Sequence, residues 1–239
     1  EGPVSDKGYD LQNLYSFRMV PRVIDALKNA GFDAVSVANN HIGDWGRAAF
    51  EDTLTRLGTA GILAVGGGFN KDDARKVKVK DVNGLKIGYL GFTDVGPEWL
   101  AENDSLSVIL LASNSEFEKI ITEAAKEVDH LVVSFHYGNE YEAKANARQK
   151  SLSRKAIDAG ARIVVGHHPH VVEEVERYKD GVIAYSLGNF IFDQNFSEET
   201  KQGLVLQVVL DGKKIAEVNQ AIVRQDDHLI PRLAEDSDL

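Results

Sequence analysis

The chain has 239 residues, 43% of them hydrophobic and 27% charged. This is the composition of a folded protein with enough core to need no staples, and not that of a disordered one. Its net charge of −10, with no Lys/Arg run longer than two, excludes a general nucleic-acid binder, and the lack of cysteine excludes disulfides, thiolate zinc sites and a cysteine nucleophile.

Residues 1–18 are polar and irregular. VPRVIDALKNAG (20–31) has Pro near its start, apolar residues at helical spacing and Gly at its end, which predicts a helix. FDAVSVA (32–38) predicts a strand, NNHIGDWG (39–46) a loop, RAAFEDTLTRLGTAG (47–61) a second helix and ILAVGGG (62–68) a short strand. That β-α-β rhythm implies parallel pairing. RKVKVKDV (75–82) alternates charged and apolar residues like a half-exposed strand, and Asn83-Gly84 turns it into LKIGYLGFT (85–93) as a hairpin. SVILLA (107–112), SEFEKIITEAAKEV (115–128) and HLVVSFHYG (130–138) predict strand, helix and strand. ARQKSLSRKAIDAGA (147–161) predicts a helix leading into RIVVGHHPH (162–170). The remainder is β: VVEEVERY (171–178), VIAYSLGNF (182–190), GLVLQVVL (203–210) and KIAEVNQAIV (214–223), with Asp-Gly turns at 180 and 211. The expectation is one domain, 1–239, with an α/β half followed by an antiparallel half. No stretch approaches the 18 apolar residues of a membrane span. The chain starts at Glu1-Gly2-Pro3 and not at Met, so it reads as a fragment whose start, with any export signal or anchor, lies upstream.

Four apolar runs end in polar clusters: Asn39-Asn40-His41, His136-Tyr137-Gly138, Gly166-His167-His168-Pro169-His170 and Gly188-Asn189. Ligands of open α/β sheets sit at the carboxyl ends of strands. Five of the seven histidines fall at such ends, and His130 and His228 do not. Imidazole, amide oxygen and carboxylate together suit Zn²⁺, Mn²⁺ or Fe and make a poor all-oxygen Ca²⁺ or Mg²⁺ cage. His168 and His170 have period two, so they share one side of an extended segment, and Pro169 pushes His168 toward that geometry. His167 then faces away, or is the ligand if the turn begins earlier. Taken singly, Asn189 reads as an Asx turn, and Asp44 and Trp45 as helix-entry residues.

On EGP (1–3), NNHIGDWG (39–46), SFHYGNEY (134–141), GHHPHV (166–171) and YSLGNFIFDQ (185–194), in that order and spacing, the chain resembles the CapA family over nearly its whole length. These are poly-γ-glutamate capsule biosynthesis proteins, similar to the calcineurin-like metallophosphoesterases. The resemblance implies an α/β fold, a four-layer α-β-β-α sandwich of the metallophosphoesterase type, with a two-metal centre. It implies that Asn40 binds a metal through its amide oxygen and that His41 donates a proton or stabilises the leaving group, oriented by Asp44. His136 is implied as a metal ligand. So are His168 and His170, one for each metal, with His167 in the place of His168 if the register shifts. Glu1 matches a position near the bridging carboxylate. The superfamily's first motif, an Asp-x-His-like element on the first strand, belongs before Glu1. The chain is therefore expected to lack that strand and to encode about one and a half metal sites.

The implied chemistry is hydrolysis of a phosphate ester by divalent transition metals, two of them, Mn, Zn or Fe. A different class is a non-hydrolytic component of a poly-γ-glutamate synthesis or export complex, binding the anionic polymer or membrane synthase components. A third is a metal-free domain whose histidines are hydrogen-bonded turn residues. The expected location is extracytoplasmic and membrane-associated through an upstream segment, with a cytoplasmic one as the alternative.

Overall fold

The structure, a computed structural model, describes residues 1–101 and 106–234. The chain forms two compact units, Glu1–His136 and Tyr137–Leu239. Among the described residues no helix is long and apolar enough to cross a membrane.

The first unit opens with α1 (Val23–Asn29), β1 (Ala34–Ser36), α2 (Gly46–Ala60), β2 (Leu63–Val65) and β3 (Gly67–Gly68). β1 and β2 pair in parallel, as the β-α-β rhythm predicts. α2 buries Phe50, Leu54 and Leu57 along one stripe, against Val37, Ile42, Ile62, Leu100 and Ile109. Next come α3 (Lys71–Arg75), β4 (Lys78–Val82), β5 (Leu85–Thr93), β6 (Val108–Ile109), α4 (Phe117–Ala125) and β7 (His130–His136). Asn83 and Gly84 both have positive φ, 54° and 84°, which is the primed turn of a two-residue hairpin, and Val82 faces Leu85 across it. β5 pairs antiparallel with β4 and parallel with β7. Phe117 of α4 packs edge-on to Phe92 of β5, with centroids 5.1 Å apart. β7 is buried almost throughout, with Leu131, Val133 and Phe135 in the core and His130, Ser134 and His136 buried as polar members. Its register ends at Thr93↔His136, and the His136 carbonyl accepts from the Asp94 amide. α3 went unpredicted because five residues hold little periodicity; its signal is Asn70, which caps the Asp73 amide.

The second unit contains α5 (Ala147–Asp158), β8 (Ile163–His167), β9 (Val175–Tyr178), β10 (Gly181–Ala184), β11 (Gln202–Asp211), β12 (Lys214–Gln225) and β13 (Pro231–Leu233). β10 pairs parallel with β8 and antiparallel with β9, while β11, β12 and β13 form an antiparallel sheet. The first expected Asp-Gly turn is displaced. Tyr178 faces Gly181, so Lys179-Asp180 makes the turn and Gly181 lies in the strand. A Cβ at Gly181 would sit 2.6 Å from Ile157 Cδ1, so this glycine serves close helix–strand packing. Gly166, just before the histidine cluster, is tighter still: its Cβ would lie 1.8 Å from the Tyr185 carbonyl oxygen. β9 begins at Val175, not Val171, because the preceding residues bond elsewhere; the Val171 carbonyl, for example, accepts from Ser186 Oγ.

Residues 145–149 are tied to that preceding segment. Asn146 and Gln149 form a capping box at the start of α5. Gln149 Nε2 donates to Glu173 Oε2 at 2.6 Å, and Glu174 accepts from the Ala145 amide. Glu173 is 3% exposed. Burial pushes its carboxyl up to about 7, against the opposing pull of the Gln149 hydrogen bond. The folded protein therefore holds this proton up to about pH 7, whereas the unfolded chain releases it near the ordinary 4.5. Folding takes up a proton in that window, so this contribution to stability is full below pH 4.5 and is lost as pH rises to 7. The loss is on the order of 3 kcal/mol. Glu173→Gln should flatten this dependence: urea midpoints at pH 5 and pH 8 should differ less in the variant than in the wild type, and parallel profiles would refute the assignment.

Candidate functional site

In the first unit the N-terminal segment is fastened to α2. Val4 N donates to Thr53 Oγ1 and Ser5 Oγ to Asp52 Oδ2. Burial alone would raise the Asp52 pKa, but hydrogen bonds from Arg56, Ser5 and Lys7 win and hold it at about 2. This anchor sets Glu1 between two imidazoles: its carboxylate oxygens lie 3.8 Å from His41 Nε2 and 3.8 Å from His136 Nε2. The Asn-Asn-His loop is shaped by Asn39, whose Oδ1 accepts from the His41 amide. Asn40 is thereby turned toward β7, with Oδ1 2.8 Å from His136 Nε2. Asp44 is 1% exposed and does not cap α2. Instead it accepts from Asn13 Nδ2 and the Phe17 amide and lies 2.8 Å from His41 Nδ1. An ionised carboxylate only accepts, so Nδ1 carries the proton and His41 Nε2 points at Glu1. The structure thus brings Glu1, Asn40, His41, Asp44 and His136 together.

In the second unit the ligand atoms of Glu140, His168 and His170 all lie within 4.8 Å of one another. His168 and His170 do share a side, but not for the predicted reason. Both have positive φ, 102° and 60°, so the segment is a left-handed turn and not an extended run. Tyr141, at φ 64°, is left-handed too, and its amide donates to the Pro169 carbonyl. Three such residues in one place mark over-determined, strained backbone, which concentrates at functional sites. His170 Nδ1 lies 3.0 Å from Asn189 Oδ1. Asn189 Nδ2 donates to the Thr200 carbonyl, which fixes the amide's orientation and makes its oxygen the group facing His170. Nδ1 of His170 is therefore the donor, and its Nε2 keeps the lone pair a metal needs. His167 stays in β8, where its carbonyl accepts from the Tyr137 amide, and it is not in the Glu140 group.

Both groups fit a divalent transition metal. Bonds of ~2.0–2.2 Å place neighbouring ligand atoms about 3–3.5 Å apart. The Asn40–His136 separation of 2.8 Å and the Glu1–His136 separation of 3.8 Å straddle that range. The ligand atoms of the second group lie within 4.8 Å of one another, and Glu140 is its exposed member. Glu140 and the orienting role of Asn189 were missed from sequence, although both stand inside quoted segments. An exposed glutamate in the turn that follows β7 has no periodicity to mark it, and an amide's partner is set by folding.

The description "Bacterial capsule synthesis protein PGA_cap" belongs to the family model that matches residues 1–194. The chain is 42% identical over 183 residues to the PGA biosynthesis protein CapA of Bacillus subtilis (strain 168), covering 76% of this chain and 48% of that one. It spans about half the length of the curated relatives it matches. Among solved structures, the sulfate thiohydrolase SoxB of Thermus thermophilus superposes with a TM-score of 0.56 at 14% identity, over 91% of this chain and 37% of that one. The 5′-nucleotidase precursor of the same organism gives 0.51 at 17% identity, over 88% and 43%. At such identities the likeness concerns the fold alone, and that fold is the mixed α/β, metallophosphoesterase-type architecture the resemblance implied. By its family match, this chain belongs to the PGA_cap family of bacterial capsule synthesis proteins.

Proposed function

We propose that the chain is a metal-dependent phosphoesterase-type domain that hydrolyses a phosphate ester in poly-γ-glutamate capsule biosynthesis. The observation that carries this is His41, held by buried Asp44, standing beside the Glu1, Asn40 and His136 donors. Each donor group would hold one divalent metal, Mn, Zn or Fe: Glu1, Asn40 and His136 in the first unit, and Glu140, His168 and His170 in the second. Bound metal supplies Lewis-acid polarisation of a phosphoryl oxygen and a water acidic enough to attack near neutral pH. In the reaction one P–O bond forms to water and the P–O bond to the alcohol breaks. His41 would give a proton from Nε2 to the leaving oxygen while Asp44 holds its Nδ1. A net charge of −10 does not forbid an anionic substrate, because metal ions are the largest local charges in such a site. The capsule context supports an anionic polymer, or components of its synthesis complex, as the partners, and a site of action at the membrane, outside the cytoplasm.

With Mn²⁺ the protein should hydrolyse p-nitrophenyl phosphate or its bis-ester, and elemental analysis should find bound transition metal. His136→Ala should lower kcat/KM by about 100-fold or more and reduce metal content. Equal turnover by both proteins would defeat the hydrolytic reading; polymer binding without any turnover would favour a non-hydrolytic component of the complex. Asp44→Asn separates positioning from binding. It should lower kcat by about 10²- to 10⁴-fold with KM and metal content kept, and a loss of metal instead would show that Asp44 supports the donor set and not the proton donor.

A further inference from the structure

Single exposed apolar residues are ordinary, but a short run of them beside a polar site is not. Between residues 190 and 196, Phe190, Ile191 and Phe196 are exposed, Phe196 by 65%. The run is continuous with the second donor group through ring contacts. Phe192 lies 5.0 Å from His170, Tyr141 stacks on His170 at 6.2 Å with rings 29° apart, and Phe196 meets Tyr141 edge-on at 5.1 Å. Tyr141 directly follows Glu140, and Gln194 Nε2 donates to its hydroxyl. The left-handed backbone at Tyr141 and His170 therefore presents a ligand and a ring face side by side.

We propose that Tyr141, Phe192 and Phe196 receive the leaving group of the substrate, and that this group is a planar aromatic alcohol whose phosphoryl end is held at Glu140, His168 and His170. This rests on the phosphoesterase reading above. Charge selects the occupant. Residues 190–199 carry Asp193, Glu198 and Glu199 and no Lys or Arg; Glu198 is paired with Lys201 and Arg224, but Asp193 and Glu199 keep the segment acidic, which disfavours a polyanion lying along this wall, whereas a neutral ring stacks on it.

The test measures binding separately from turnover. Calorimetric titration of the Mn²⁺-loaded protein with phenylphosphonate and methylphosphonate should show the phenyl compound binding about tenfold tighter, about 1.4 kcal/mol. Phe196→Ala, which touches the donor group only through Tyr141, should shrink that preference and leave methylphosphonate binding unchanged; Tyr141→Ala should shrink the preference too. Equal binding of the two phosphonates, or a preference that survives both substitutions, overturns the aromatic wall while leaving hydrolysis standing. Discrimination between phosphonates with no turnover of p-nitrophenyl phosphate supports the wall and overturns only the hydrolytic reading. Failure of either phosphonate to bind overturns both.

Discussion

A neutral imidazole has one donor and one acceptor nitrogen, and an acceptor placed against Nδ1 decides which is which. That constraint governs both donor groups. Asp44 stands against His41 Nδ1, and Asn189 stands against His170 Nδ1. In each case the acceptor's remaining bonds are taken: Asp44 also holds Asn13 and Phe17, and the Asn189 amide donates to Thr200. Both are buried, where hydrogen bonds are stronger and an unmade one is costly. Flipping either ring would break its bond to a buried acceptor, so Nε2 stays aimed where the chemistry needs it.

The backbone around these rings carries strain that the rest of each unit must offset. His168, His170 and Tyr141 occupy left-handed conformations that cost of order 1–3 kcal/mol each for side-chain-bearing residues. They persist because neighbouring bonds leave no alternative: the Tyr141 amide is used by Pro169, the Tyr137 amide by His167, and Gly166 allows β8 to press against Tyr185. Stability comes from elsewhere, from strands such as β7 and β10 that bury nearly every side chain. The two roles are divided at the carboxyl ends of the strands, where apolar runs stop and polar residues begin.

Much of this was legible beforehand. The Asn83-Gly84 hairpin, the parallel β1–β2 pair and the long helices α2 and α5 follow from period and punctuation, because their residues report on their own neighbours in the chain. The grouping of Asn40, His41, Asp44, His136 and Glu1 was also anticipated, through a family resemblance carried by short quoted segments. The extended geometry assigned to His168 and His170 was wrong. Alternation along a chain says nothing about a turn forced by hydrogen bonds to residues 137, 141 and 189. The role of Glu140 and the turn at Lys179-Asp180 were hidden for the same reason.

By itself the amino-acid order determined the residue types that can bind a transition metal and the strand ends on which most of them stand. It also determined the absence of thiol chemistry. Only the tertiary structure decided which nitrogen of each imidazole is committed, which carboxylate joins His168 and His170, and that aromatic rings lie against them. The reason is range. Periodicity and turn chemistry act over a few residues; they reach Asp44, three positions from His41, but not Asn189 and Glu140, which meet His170 from 19 and 30 positions away and do so only once the chain has folded.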